Sequence, residues 1–156
     1  MNKPTNVHGT GLVLGETGVL LRGPSGAGKS VLALSLLDRW SDRGRPAFLV
    51  SDDRVDLSAS GGLLTMQAPP SLGGLIELRG RGIVSRPHQA RTGLHLIIDL
   101  VDELVRMLEE DEFSIELLGV AVPRAPVPKA GVIGLGHQML LVIEAMAALT
   151  PPASAP

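Results

Sequence analysis

The chain has 156 residues, of which 44% are hydrophobic and 19% are charged, so it can bury the core of one compact domain. Its formal net charge of -2 gives no general electrostatic reason to bind nucleic acid or an anionic membrane. The absence of cysteine excludes disulfides, thiolate nucleophiles and cysteine-ligated zinc, and fits a reducing compartment.

The sequence also gives no reason to expect export or membrane insertion. The first residues lack the basic start and apolar run of a signal peptide. The longest apolar stretch, 139–149, is interrupted by Glu144 and is far shorter than the roughly 20 residues of a membrane span. We expect a cytoplasmic protein without a membrane segment, with one domain over 1–149 and a disordered tail over 150–156.

Short apolar runs separated by glycine, proline and polar clusters predict a series of strands. The first two form a hairpin with a loop at 15–18, and a mostly buried helix runs from Lys29 to about Trp40. The charged segment 102–112 is compatible with a helix, and the last helix covers 137–149. The predicted strands are 7–14, 19–22, 47–50, 55–57, 63–66, 75–78, 82–85, 94–100, 113–118 and 120–127, the last broken by prolines.

Residues 23–30 match the phosphate-loop pattern G-x-x-x-x-G-K-[ST] at every fixed position, between a predicted strand and a predicted helix. Glycines in such a loop let backbone N–H groups converge on phosphate oxygens at the positive end of a helix. The lysine of such a loop reaches the β- and γ-phosphates of a bound nucleotide, and the following hydroxyl is a ligand of Mg²⁺. The predicted nucleotide-binding residues are therefore Gly23, Pro24, Ser25, Gly26, Ala27, Gly28, Lys29 and Ser30, and Ser30 is also a predicted metal ligand.

Two places could supply a further carboxylate on the metal side. Asp52 and Asp53 follow one apolar run and Asp99 lies within another, and spacing alone does not choose between them. A paired Asp-Asp is chemically suggestive, because one carboxylate can hold Mg²⁺ while the other accepts a hydroxyl proton. A GTPase is excluded, since the base-reading Asn-Lys-x-Asp motif is absent.

Further motifs resemble the catalytic domain of HPr kinase/phosphorylase, a bacterial family that phosphorylates a serine of the phosphocarrier HPr. A His-Gly pair at His8 lies fifteen residues ahead of Gly23, and residues 49–53 (Leu-Val-Ser-Asp-Asp) are similar to the family's Asp-Asp segment. Residues 77–83 (Glu-Leu-Arg-Gly-Arg-Gly-Ile) resemble its signature Glu-x-Arg-Gly-x-Gly-Ile, and residues 140–148 its closing helix.

This resemblance implies an α/β fold: a phosphate-loop kinase core, related to phosphoenolpyruvate carboxykinase, with a mixed sheet flanked by helices. It implies that Asp53 accepts the serine proton with His8 and Arg106 assisting, while Lys29 neutralises charge on the transferred group. Glu77 is then a Mg²⁺ ligand, Asp52 lies on the metal side, and Arg106 aligns with a catalytic arginine. ATP and Mg²⁺ are the implied cofactors, an HPr-like protein is the partner, and the assembly is a homo-oligomer, a hexamer in the family.

The resemblance has departures. Relatives carry an additional N-terminal domain, so we expect a short, single-domain form. The family's Pro-x-Arg-Pro-Gly-Arg element aligns with residues 128–133, where both arginines are replaced, and this puts the phosphorylase reaction in question. The residues by themselves also leave open a small-molecule kinase and a non-catalytic nucleotide-sensing module. They equally leave open a surface role for Arg106, paired at helical spacing with Glu103, Glu109 or Glu110.

Overall fold

The computed structural model describes residues 3–70 and 73–149, so the predicted tail at 150–156 lies outside the described residues. Within these ranges the chain forms twelve strands, two α-helices and one short 3₁₀ helix. In chain order they are β1 (Thr5–His8), β2 (Thr10–Leu14), β3 (Thr17–Arg22), α1 (Lys29–Asp42), β4 (Ala47–Ser51), β5 (Arg54–Ser60), β6 (Leu63–Gln67), β7 (Leu75–Leu78), β8 (Gly82–Ser85), β9 (Arg91–Gly93), β10 (Leu96–Val101), the 3₁₀ helix (Glu110–Phe113), β11 (Ser114–Leu117), β12 (Val120–Pro128) and α2 (Leu135–Ala147).

The main sheet has six strands in the order β11-β12-β10-β3-β2-β4. Its centre is parallel, because β10 pairs with both β3 and β12 in the parallel sense. The remaining pairs, β2 with β3, β2 with β4 and β11 with β12, are antiparallel. The predicted α/β fold with a mixed sheet and flanking helices is confirmed.

Alternate residues of the main sheet enter two separate cores, as the two-residue period of a strand requires. Leu21 and Ile98 pack with both helices and Trp40 on one face. Leu20 and Ile97 pack on the opposite face with residues of β5 and β6. Those strands belong to a four-stranded sheet, β1-β5-β6-β9, so the described chain has three layers: helices, mixed sheet and second sheet. A separate hairpin, β7-β8, contacts α1 and β4.

The predicted strand over 7–14 is two strands that belong to different sheets. The chain changes sheet at Gly9, whose N–H donates to the carbonyl of Asp53 at 2.9 Å. A Cβ on Gly9 would lie 2.9 Å from the carbonyl oxygen of Leu21, so only glycine fits this close approach. The loop of the following hairpin is also shorter than predicted, since Leu14 already pairs with Thr17.

Two further expectations are wrong. Residues 102–109 are irregular and only Glu110–Phe113 is helical, as a single 3₁₀ turn. The strand β12 is continuous from Val120 to Pro128 despite its prolines. Strand β11 pairs only as far as Pro123. Among the described strands, β10 is therefore the one that pairs with the stretch that holds Pro126 and Pro128. A proline there removes no hydrogen bond that a second neighbouring strand would need.

The last helix begins two residues earlier than predicted, at Leu135. Its Met139, Val142 and Met146 are buried against the helix-side core. No helix within the described ranges is long and apolar enough to cross a membrane.

Candidate active site

The phosphate loop joins the end of β3 to the start of α1, which is the arrangement its motif requires. Gly26 and Gly28 have φ of 84° and 91°, values that side chains with a Cβ rarely adopt. Gly28 is the N-cap of α1, the cap has no side-chain hydrogen bond, and the first turn contains no acidic residue. The first N–H groups of α1 are thus left for an anion.

Lys29 is 9% exposed and points back over the loop. Its Nζ donates to the carbonyl of Gly23 at 2.6 Å and to that of Pro24 at 3.1 Å. Burial lowers the pKa of Lys29, and the nearby charges of Asp53 and Asp52 partly oppose that effect. The ammonium group is therefore held against the loop, and Lys29 lines one cavity together with Asp52 and Asp53.

Asp52 is held by two hydrogen bonds, one to each carboxylate oxygen. The hydroxyl of Thr10 donates to Oδ1 at 3.0 Å, and the backbone N–H of Glu77 donates to Oδ2 at 3.3 Å. Each carboxylate oxygen has a second lone pair, so both can still accept a further donor or a cation. These two bonds connect strand β2, the end of β4 and strand β7 at one point.

Asp53 is paired with His8, as its Oδ1 lies 2.6 Å from His8 Nε2. The two residues are 45 positions apart in sequence, and the switch of sheet at Gly9 brings them together. Asp53 has φ of 70°, in the left-handed region that few residues other than glycine adopt. Strained backbone conformations of this kind occur at functional sites more often than elsewhere. Here the conformation places two successive carboxylates beside the loop.

A cavity of about 330 Å³ lies beside the phosphate loop, and its lining includes three acidic residues together with Lys29. The hairpin β7-β8 contributes Glu77 and Arg79, so its signature sequence reaches the loop. Arg79 is a lining residue that sequence reasoning did not place in the site, although it belongs to the signature. The cavity is lined by Ser25, Gly26, Gly28, Lys29, Ser30, Val31, Asp52, Asp53, Glu77 and Arg79.

Most of the predicted site residues thus meet at one place, and a few do not. Gly23, Pro24 and Ala27 shape the loop without lining the cavity, and His8 reaches it through Asp53. Arg106 is exposed in the irregular segment and does not line the cavity. Since that segment is not helical, the helical spacing that would pair Arg106 with glutamates is absent. A catalytic role for Arg106 stays a prediction.

Asp99, the alternative carboxylate, is bound by two arginines. Its oxygens accept from Arg22 at 2.7 and 2.8 Å and from Arg124 at 2.6 Å. Burial raises the pKa of Asp99, but the hydrogen bonds and charges of Arg22 and Arg124 outweigh it, and the net pKa lies below its ordinary value. Because both of its carboxylate oxygens are already bound by arginines, Asp99 is poorly suited to hold a metal. Asp52 and Asp53 line the cavity, and a catalytic or metal-binding role for them stays a prediction.

The residues present fit a nucleotide with Mg²⁺. A loop with left-handed glycines at a helix N-terminus suits phosphate, and the hydroxyl of Ser30 with the carboxylates of Asp52 and Glu77 are oxygen donors, which Mg²⁺ prefers. Among the described residues no group of three or more His, Cys, Asp or Glu could hold a metal by itself.

A family model described as HPr Serine kinase C-terminal domain matches residues 1–151. The chain belongs to this family. Two relatives named HPr kinase/phosphorylase cover 92% of the chain: that of Clostridium novyi is 34% identical over 156 residues, and that of Streptococcus thermophilus 35% over 155 residues. The chain spans about half the length of these relatives, 47% in each case.

A solved structure of the HPr(Ser) kinase/phosphatase from Coxiella burnetii superposes with a TM-score of 0.70 at 28% identity, covering 88% of this chain and 92% of that one. The HPr kinase family and fold expected from the motifs are therefore confirmed. Residues from two of the motifs that carried the resemblance, the Asp-Asp segment and the glutamate signature, line the cavity beside the phosphate loop.

Proposed function

We propose that this domain transfers the γ-phosphate of ATP, with Mg²⁺, to a serine of an HPr-like phosphocarrier protein. The observation that carries the proposal is the pairing of Asp53 with His8, 2.6 Å apart, beside the phosphate loop. A nucleotide-binding module needs the loop but has no use for a base held next to it. We also propose that the domain acts in the cytoplasm as a homo-oligomer, a hexamer by resemblance to the family.

The proposed chemistry assigns each group a place. Asp53 takes the proton of the serine hydroxyl, whose oxygen forms a bond to the γ-phosphorus while the bond to the β-phosphate oxygen breaks and ADP leaves. His8 orients the Asp53 carboxylate through their hydrogen bond. Lys29 and the loop N–H groups neutralise charge on the transferred group. Mg²⁺, when bound, shields phosphate charge, and Ser30, Asp52 and Glu77 would hold it.

The replaced arginines support a kinase without the phosphorylase reaction. Ala130 packs against the phosphate loop. The N–H of Ala130 donates to the carbonyl of Ala27 at 3.2 Å, and a Cβ added to Gly28 would lie 2.8 Å from the Cβ of Ala130. The charge of Lys129 is paired with Asp102 at 2.9 Å. No guanidinium of residues 128–133 is thus available to bind inorganic phosphate at the loop.

One experiment tests the function: the protein is incubated with γ-labelled ATP, Mg²⁺ and purified HPr, and the label is followed. We expect phosphoserine on HPr. Lys29→Ala should abolish transfer together with ATP binding, and Asp53→Asn should abolish transfer while ATP affinity stays within about threefold. The fold of both variants is checked by circular dichroism.

Other outcomes of the same assay discriminate the alternatives. Label on a small molecule without a protein acceptor would indicate a small-molecule kinase, and ATP binding without turnover would indicate a sensor. If Asp53→Asn lost ATP binding as well as transfer, Asp53 would belong to the metal side. Phosphorylated HPr with excess inorganic phosphate should release no pyrophosphate, and its release would contradict the kinase-only proposal.

A further inference from the structure

Thr10 is a polar residue inside the protein that no motif singles out. It is the first residue of β2 and its exposure is 0%. A hydroxyl buried without a hydrogen bond costs free energy, so its partner is informative. That partner is Asp52, whose Oδ1 accepts the Thr10 hydroxyl at 3.0 Å.

The local backbone explains why Thr10 and Asp52 meet. The register between β2 and β4 shifts between Gly11 and Leu12: Gly11 pairs with Ser51 but Leu12 pairs with Leu49, which leaves Val50 as an extra residue in β4. Such a bulge turns the end of a strand and re-aims the residues that follow. Asp52 follows directly, and Thr10 is the β2 residue next to Gly11.

The bond from Thr10 is the shorter of the two that hold the Asp52 carboxylate. The other comes from the backbone N–H of Glu77 at 3.3 Å. Asp52 therefore connects a buried strand of the main sheet to the hairpin that carries Glu77, the second carboxylate on the proposed metal side. Without the hydroxyl, rotation of the Asp52 side chain would be limited by the longer bond alone.

We infer that Thr10 is a positioning residue for the metal side of the site. It does not line the cavity. It fixes the orientation in which Asp52, and through it Glu77, presents oxygen to Mg²⁺. The inference deepens the proposed function and rests on its assignment of Asp52 and Glu77.

The test compares Thr10→Val, which keeps the shape and removes the hydroxyl, with Thr10→Ser, which keeps the hydroxyl. ATP binding is measured by calorimetry with and without Mg²⁺, and phosphate transfer is measured against Mg²⁺ concentration. Loss of a hydrogen bond to a charged group changes an equilibrium constant roughly tenfold. Thr10→Val should therefore raise the half-saturating Mg²⁺ concentration about tenfold. ATP affinity without metal and the KM for HPr should not change, and Thr10→Ser should restore the wild-type Mg²⁺ dependence.

Ser51→Ala is the matched control. Ser51 is also 0% exposed and pairs with Gly11, but its hydroxyl has no hydrogen-bond partner among the described residues. It should leave the Mg²⁺ dependence unchanged. A wild-type Mg²⁺ dependence in Thr10→Val, or an equal change in all three variants, would overturn the inference. Because calorimetry needs no turnover, a protein that failed to phosphorylate HPr would refute the function while Thr10 was still tested.

Discussion

Asp99 receives two arginine side chains from neighbouring strands, and its own side chain is 14% exposed. Replacing it with asparagine would leave Arg22 and Arg124 without their counter-charge under the phosphate loop. Hydrogen bonds to a charged group contribute about 1.5–3 kcal/mol each, and loss of a partly buried pair is costly because the partners stay unpaired. We expect Asp99→Asn to lower the free energy of unfolding at pH 7 by about 2 kcal/mol, as measured with urea.

The pH dependence of that loss has a definite sign. The folded-state pKa of Asp99 lies below its ordinary value, so its stabilising effect is complete above the unfolded pKa, near 4. The effect is lost as the pH falls through the folded pKa. The difference in the free energy of unfolding between wild type and Asp99→Asn should therefore shrink as the pH falls from 7 to 3. A difference that stayed constant from pH 7 to pH 3 would contradict an ionic origin of the stabilisation.

Asp38→Asn provides the control for a surface ion pair. Asp38 forms a two-bond pair with Arg86, at 2.9 and 3.1 Å, but its side chain is 50% exposed. Exposed pairs contribute about 0–1 kcal/mol. Asp38→Asn should thus change the free energy of unfolding much less than Asp99→Asn does.

At the residue scale, the sequence predicted the phosphate loop because its eight positions are contiguous. The meeting of His8 with Asp53 came from resemblance, since nothing in a separation of 45 positions indicates contact. Thr10 carried no signal at all. Its role depends on a bulge between β2 and β4, and bulges arise from pairing that a single sequence does not display.

The phosphate loop as an element depends on Gly28. Its φ is 91°, and an added Cβ would lie 2.8 Å from the Cβ of Ala130. Left-handed backbone costs a residue with a side chain roughly 1–2 kcal/mol, and the contact with Ala130 would also displace the loop. We expect Gly28→Ala to lower ATP affinity at least tenfold, as measured by calorimetry.

Gly44→Ala separates strain from site geometry. Gly44 ends the turn after α1 with φ of 73°, and an added Cβ there meets nothing within 4 Å. Gly44→Ala should lower the free energy of unfolding by about 1 kcal/mol, similar to the backbone cost of Gly28→Ala, and should leave ATP affinity unchanged. If both variants lost ATP affinity equally, the affinity would depend on the stability of the whole fold and not on the shape of the phosphate loop.

Elements were predicted best where apolar runs are bounded by turn residues, as at β7, β8 and α1. The helix expected over 102–112 does not form, and the reason is physical. Its Leu104, Val105 and Met107 are 53%, 47% and 80% exposed, so they form no buried stripe that a helix could pack with. A short helix is marginal without such packing, and charge alone does not supply it. The segment is instead held by individual contacts, such as the hydrogen bond that Arg124 donates to the carbonyl of Glu112 at 3.1 Å.

At the scale of the whole molecule, two cores share one sheet. Leu20 faces the second sheet, and its neighbour Leu21 faces the helices. The prediction of one domain over 1–149 therefore requires that a defect in one core destabilise the other. Two independently folding layers would behave differently, because each would keep its own transition.

Leu20→Ala tests this coupling, with Trp40 as the reporter. Leu20 is 0% exposed between the two sheets, and removal of such a side chain costs about 2–5 kcal/mol. Trp40, the sole tryptophan of the chain, lies in the other core. If the domain is one cooperative unit, the urea midpoints from Trp40 fluorescence and from circular dichroism should fall together. Leu63→Ala, at a position that is 73% exposed, should move neither. A midpoint that falls by circular dichroism while the fluorescence midpoint stays would mean that the helix layer folds without the second sheet.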